Sequence, residues 1–401
     1  FTFMSDVPFA ALCIWSLYFW ASPPEHRVAG RLVALSLAAA ATLSRQPGAA
    51  LGIAYAISLG IPTLRTRRQW VLAGSVLAAA TALVWVVARA PEPASRAAPF
   101  GVFGFAQQLL GPHVAYFEAR HAGVNFVYLG IFLAPLAAMT RPAHGAHVRR
   151  VAAFALGATL LTLAALAAAD LRMPLGLNML HDAGVGPITD RGRDLLAPLP
   201  GSFWWALTTL GLASAFWLTG CAALAARSAR DVVSTGDTVR IAIVGFVLVY
   251  LGVVGSRSPC FDRYLLAPLA PLAALLASHA CDRGARRLGA ALLLAALGWF
   301  GTLGLADYLA FHRARWSLLT PLVARGVAAD RIDGGFEFGG RYLFGPKFRW
   351  VVDDELVVGL QPHVAGYRPI AEARFRRRLV PGEGVITLQL RESARGVGET
   401  P

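Results

Sequence analysis

The sequence is poor in charge. Only 15% of its 401 residues are Asp, Glu, Lys or Arg, against 56% hydrophobic, and the mean hydropathy is +0.54. A soluble domain carries about 25% charged residues. With so little charge a soluble protein of this size could not cover its own surface, so a bilayer must be part of the solvent. That excludes an ordinary cytosolic enzyme and a disordered chain. Lysine is almost absent: Lys347 is the only one, and arginine carries the net charge of +14. The arginines fall mostly between apolar runs and form no stripe with interleaved aromatics, a distribution that sets membrane topology rather than binding nucleic acid. Cysteine is scarce as well. Cys13, Cys221, Cys260 and Cys281 have no metal-ligand spacing, and no disulfide framework follows from them. Walker A loops, GxGxxG fingerprints and HExxH are missing, so the sequence gives no support for a soluble nucleotide or nicotinamide cofactor. The chain opens on Phe1 and enters an apolar run with no basic n-region, which reads as a truncated protein and not as a signal peptide.

Long apolar runs are what the sequence has in abundance. A bilayer core about 30 Å thick needs roughly 20 apolar residues per helix. Ten runs qualify or nearly so: 6–21, 28–43, 47–62, 69–88, 124–140, 150–169, 203–226, 239–256, 262–280 and 286–309. The second and third are short, with Ser44-Arg45-Gln46-Pro47 between them, and suggest a hairpin that stops short of one membrane face. If Asp6 lies at the outer face, alternation puts Arg27 and Arg31; Arg65, Arg67 and Arg68; Arg141, Arg149 and Arg150; Arg227, Arg230 and Arg240; and Arg283, Arg286 and Arg287 in the inner loops. Short inner loops dense in arginine are what the positive-inside rule requires. The longer connections at 89–123 and 170–202 are then outer, and 101–120 has the character of an interfacial amphipathic helix.

Composition changes after the last run. Residues 312–401 hold Gly-Gly, Asp-Asp-Glu and Arg-rich stretches, with short alternating runs at Trp350-Val351-Val352 and Val385-Ile386-Thr387-Leu388 and a turn-like run at Leu379-Val380-Pro381-Gly382-Glu383-Gly384 that leads into a strand. The expected fold class is an all-α polytopic membrane protein of about ten transmembrane helices over 1–311, with a small C-terminal α/β soluble domain over 312–401. Arg376-Arg377-Arg378 reads either as a solvated face or as a contact for anionic lipid.

Ionisable residues avoid the middles of the runs and gather at their outer ends, which suits chemistry at a membrane face better than conduction through it. Asp6, just before Pro8, has two readings: an N-cap that satisfies orphan amides, or a catalytic carboxylate whose orientation is fixed at the mouth of a cavity. Arg45 with Gln46 either snorkels to the headgroups or grips a lipid-linked phosphate through guanidinium and amide donors. Arg257, Arg263 and Tyr264 open a proline-marked run, as an interfacial anchor or as part of the same grip. His181 and Asp182 are the weak candidates for a divalent cation, since no ligand spacing there is diagnostic.

Asp-Val-Pro opening one run, Arg-Gln between two short ones, and Arg263-Tyr264-Leu265-Leu266 with Pro268 and Pro271 opening a late one resemble the GT-C class of membrane glycosyltransferases. The nearest branch is that of the polyprenyl- or dolichyl-phosphate-mannose protein mannosyltransferases and bacterial aminoarabinose transferases. The stretch Arg331-Ile332-Asp333-Gly334-Gly335-Phe336-Glu337-Phe338-Gly339-Gly340 is similar to the extracytoplasmic tails of bacterial members. The resemblance implies an enzyme of the bacterial plasma membrane, with its C-terminal domain extracytoplasmic. It would take a sugar from a polyprenyl phosphate and pass it to a lipid, glycan or protein hydroxyl, inverting the anomeric centre. It also implies a general base upstream of Phe1, with Asp6 matching a second acidic residue at the same cavity. Arg45, Gln46, Arg257, Arg263 and Tyr264 would bind the donor phosphate; a divalent cation is an alternative source of that positive charge. Two rivals are a transporter or flippase of lipid-linked sugars, which predicts inverted repeats and mid-span charge, and a non-catalytic assembly subunit, in which Asp6 is dispensable.

Overall fold

The computed structural model describes residues 2–60, 114–142, 145–169, 180–181, 184–185, 199–226, 237–255, 262–277, 284–343, 354–360 and 362–392. Over these the protein is mostly helical, with a small C-terminal sheet. The helices are α1 (Thr2–Trp20), α2 (Arg27–Ser44), α3 (Ala49–Gly60), α4 (Val114–Phe132), α5 (Ala134–Met139), α6 (Gly145–Ala168), α7 (Gly201–Ala226), α8 (Thr238–Gly255), α9 (Leu266–Ala277), α10 (Gly284–Ala324) and α11 (Phe336–Tyr342). Nine of the ten apolar runs fall on these helices; the run 69–88 lies outside the described residues. Four helical stretches are long and apolar enough to cross a membrane: Pro24–Ser44, His147–Ala168, Gly201–Leu224 and Gly284–Ala324. With its preceding 3-10 turn, α2 is therefore longer than the short hairpin arm expected of it. Residues 101–113 are outside the described residues, and from Val114 onward the chain is already in α4.

Several polar side chains inside these helices find partners close by. Thr42, Thr162 and Thr208 donate to the carbonyls four residues earlier at 2.8 Å. Ser16 Oγ donates to the Ala34 carbonyl at 2.7 Å and lies 2.6 Å from Tyr55 Oη. In an apolar solvent an unpaired hydroxyl is costly, so short side chains that fold back on their own helix are the ones tolerated. Small residues bring the helices together. Gly130 of α4 and Gly211 of α7 face each other so closely that a Cβ on either would overlap the other helix's backbone. One core holds α1, α2, α3, α8 and α9 together around Phe9, Trp20, Tyr55, Phe246 and Tyr250; a second gathers α4 and α7 around Tyr128, Ile131 and Leu212.

At 41 residues, α10 runs past the end of the apolar run at 309 and across the boundary drawn at 311/312. Its last turns carry Phe311, Ala314, Leu319 and Leu322 into the C-terminal core. That spacing of 3, 5 and 3 keeps the four on one helical face. The sheet they cover has the order β3-β4-β6-β5, built from β3 (Ile332–Asp333), β4 (Leu356–Gly359), β5 (Tyr367–Arg377) and β6 (Gly382–Arg391). β3 and β4 are parallel, and the other pairs are antiparallel. Val385–Leu388 lies in β6 as expected, while the β5–β6 turn is confined to residues 378–381: Gly382, Glu383 and Gly384, expected in the turn, already pair with Arg377, Arg376 and Phe375 of β5. Residues 350–352 lie outside the described residues. Opposite Gly384, the Phe375 ring lies over the strand where a Cβ would sit.

Two carboxylate contacts tie this domain to α10. Asp307, only 2% exposed, accepts the backbone N–H of Arg378 at 2.6 Å and of Leu379 at 3.0 Å. Glu337 on α11 accepts from Arg315 Nη1 at 3.2 Å and lies 3.6 Å from His312 Nε2. Gly335, at φ +81°, lies against the Arg315 guanidinium, where a side chain would overlap it.

Candidate active site

Three distant parts of the chain meet at one end of the first bundle. Asp6 is buried, in the second turn of α1. One carboxylate oxygen contacts Arg45 Nη1, and the other lies 3.5 Å from Arg263 Nε. The N-cap reading of Asp6 is thereby corrected. α1 begins at Thr2, so Asp6 and Pro8 sit inside the helix, and the carboxylate meets guanidinium groups instead of capping orphan amides. The preceding residues are apolar enough to extend the helix backward through the proline.

Each arginine is placed by a break in helix. Arg45 follows α2 in an extended conformation (φ −154°, ψ 132°), its N–H still bonded to the Ala41 carbonyl. The next turn closes when Gly48 donates to the Arg45 carbonyl at 2.9 Å. Gly48 packs so tightly on Ala41 and Thr42 that a Cβ would strike their backbone. A proline and a glycine in Gln46–Gly48 thus turn the chain sharply and leave Arg45 facing α1. Arg263 lies in the 3-10 turn Asp262–Leu265 ahead of α9. Tyr250 Oη on α8 fixes that turn by donating to the Tyr264 carbonyl at 2.8 Å, and the Tyr250 ring stacks on Phe9 of α1.

Tyr264 completes the arrangement. Its ring centroid lies 5.0 Å from the Arg45 guanidinium carbon and 5.6 Å from that of Arg263, within cation–π range for both. Among the described side chains, one carboxylate lies between two guanidiniums. The side chains of Arg45 and Arg263 keep 22% and 17% of their surface accessible, against 7% for Asp6. The guanidiniums are therefore more accessible than the carboxylate. Such a site attracts an anion, and guanidinium groups suit a phosphate in geometry.

Of the other sequence-derived candidates, Arg257 and Asp182 lie outside the described residues, as does the Gln46 side chain. His181 is in the short hairpin of β1 (Leu180–His181) and β2 (Gly184–Val185), apart from the Asp6 group in the chain. Among the described residues, no cluster of three or more His, Cys, Asp or Glu is placed to hold a metal ion. Sequence reading missed Asp307, although it is the only acid in the run 286–309. It also missed the Arg315–Glu337 pair.

Comparison with family models, with curated proteins and with solved structures returned no match.

Proposed function

We propose that the protein is a membrane glycosyltransferase that moves a sugar from a polyprenyl-phosphate donor to an acceptor hydroxyl at the outer face of a bacterial plasma membrane. In this reading about ten helices cross the bilayer, and residues 312–401 are extracytoplasmic. The observation that carries it is Asp6 held between Arg45 and Arg263 over Tyr264, a carboxylate with two guanidiniums at one end of an apolar bundle. The sidedness is self-consistent. The ends of helices assigned to the outer face meet around Asp6, while Arg286, assigned to the inner face, donates to the Thr140 carbonyl beside Arg141 at 3.0 Å.

The chemistry follows from charge. The acceptor oxygen attacks the anomeric carbon from the side opposite the phosphate, and the bond from that carbon to the phosphate oxygen breaks. The bonding electrons leave with the phosphate, and the hydroxyl proton passes to a carboxylate acting as general base. The donor phosphodiester carries one negative charge, and the departing monoester gains a second. Guanidiniums already in place stabilise that added charge more in the transition state than in the ground state, which is the condition for acceleration. Asp6 holds the two arginines in position. Accepting a proton would release at least one of them, so the base is another carboxylate.

The test is sugar transfer from labelled polyprenyl-phosphate sugar in membranes containing the full-length protein. Arg263→Ala should weaken donor binding by about 10- to 100-fold while leaving acceptor binding intact, as expected for losing a charge-assisted hydrogen bond. Equal loss of both would point to misfolding, and no loss would reject the phosphate-binding role.

A further inference from the structure

A second cationic site lies where α10 meets the sheet. A groove of about 1050 Å³ opens between the middle of α10 and the β5–β6 hairpin, lined by Arg313, Arg374, Arg376, Arg377 and Arg378, with Glu383 as its acidic residue. Two of the five arginines are balanced. Arg374 pairs with Glu383 at 3.3 Å. Arg377 is buried, which pulls its guanidinium down from the usual range, and the nearby Asp307 charge works against that shift. Arg313, Arg376 and Arg378 are exposed, and among the described residues no carboxylate pairs with them. The turn amides of residues 378 and 379 are already taken by Asp307, so the groove offers its arginine side chains.

The depth of this groove relative to a bilayer can be read from α10. Leu288, Leu292, Leu294, Trp299, Leu305 and Leu309 are its exposed large apolar residues. From the first to the last the helix rises about 32 Å, the thickness of a bilayer's hydrocarbon core. Leu309 is both the last of this series and part of the groove wall. Arg313, one turn further along, lies about 6 Å beyond it, at the level of lipid phosphates.

We infer that this groove binds the phosphate of an anionic bilayer phospholipid, seating the C-terminal domain on the membrane surface. The inference rests on α10 crossing the bilayer and is independent of sugar transfer. A bilayer lipid is favoured because one wall of the groove continues directly into the lipid-facing stripe of α10, so a headgroup can enter while its acyl chains stay beside Leu305 and Leu309.

The test is native mass spectrometry of the purified full chain in detergent, titrated with phosphatidylglycerol, phosphatidylcholine, a polyprenyl phosphate or inorganic phosphate. Phosphatidylglycerol should bind more tightly than phosphatidylcholine. The triple variant Arg313→Gln/Arg376→Gln/Arg378→Gln should weaken phosphatidylglycerol on the order of 100-fold, about fivefold per arginine. The corresponding triple lysine variant should restore most of the affinity, which separates charge from folding. Arg368→Gln, on the same strand but outside the groove, should leave it unchanged. Undiminished phosphatidylglycerol binding in the glutamine variant would overturn the inference, as would equal affinity for phosphatidylcholine. Inorganic phosphate binding as tightly, with that binding lost in the glutamine variant, would make this a soluble-anion site; polyprenyl phosphate binding more tightly, with that binding lost in the glutamine variant, would assign the groove to donor; either result overturns the bilayer-lipid assignment.

Discussion

Asp6→Asn is the most informative single perturbation. Asparagine keeps the volume and removes the charge, leaving Arg45 and Arg263 mutually repulsive against a mostly buried wall. Breaking a buried ion pair by deleting one partner destabilises by about 3–5 kcal/mol, because the surviving charge is left without compensation. With the arginines one-fifth exposed, the lower end, about 3 kcal/mol, is expected. Reversible unfolding in mixed micelles measures it. A cycle with Arg45→Gln then isolates the pair: the double variant Asp6→Asn/Arg45→Gln should recover about 1–2 kcal/mol relative to additivity, within the range found for residues in direct contact. A single variant within about 0.5 kcal/mol of the parent, or a cycle that is additive to that precision, would refute the claim that Asp6 holds these arginines.

Three further outcomes follow from the contacts. Asp307→Asn weakens two hydrogen bonds to a buried carboxylate and should destabilise the β5–β6 hairpin by about 2–4 kcal/mol, seen as faster hydrogen exchange at 378–381 with α1–α3 unaffected. Gly335→Ala meets a positive φ and the Arg315 guanidinium together and should lower stability by about 1–3 kcal/mol, whereas Gly340→Ala, with open space around it, should be near neutral. Protease added to intact spheroplasts should clip residues 312–401 if they are extracytoplasmic; full protection would reverse the orientation.

Much of the helical layout was readable because apolar run length is a direct response to bilayer thickness. The runs from 6–21 to 286–309 that fall on described residues lie on helices. Alternation of the runs expects Asp6, Arg45 and Arg263 on one face, and their contact, which only tertiary packing decides, is what the structure adds. What escaped was local. The start of α1 was misplaced because Pro8 is a strong start signal, yet the flanking apolar residues extend the helix through it. α10 was cut short where hydropathy falls, although Phe311, Ala314, Leu319 and Leu322 continue a helical face that a soluble domain, not lipid, covers. Asp307 was passed over because a lone acid at the end of an apolar run carries no sign of the backbone amides that meet it some 70 residues later. Such partners are set by tertiary packing, which no local pattern encodes.

The central claim is that the Asp6-organised arginine pair binds the phosphate of an isoprenoid carrier. Its most direct test is equilibrium binding of a polyprenyl phosphate to the full-length protein in nanodiscs of neutral lipid. Arg45→Gln/Arg263→Gln should bind at least about 100-fold more weakly than the parent, with the Arg313/Arg376/Arg378 variant unchanged. Parental affinity in the Arg45/Arg263 variant would contradict the account.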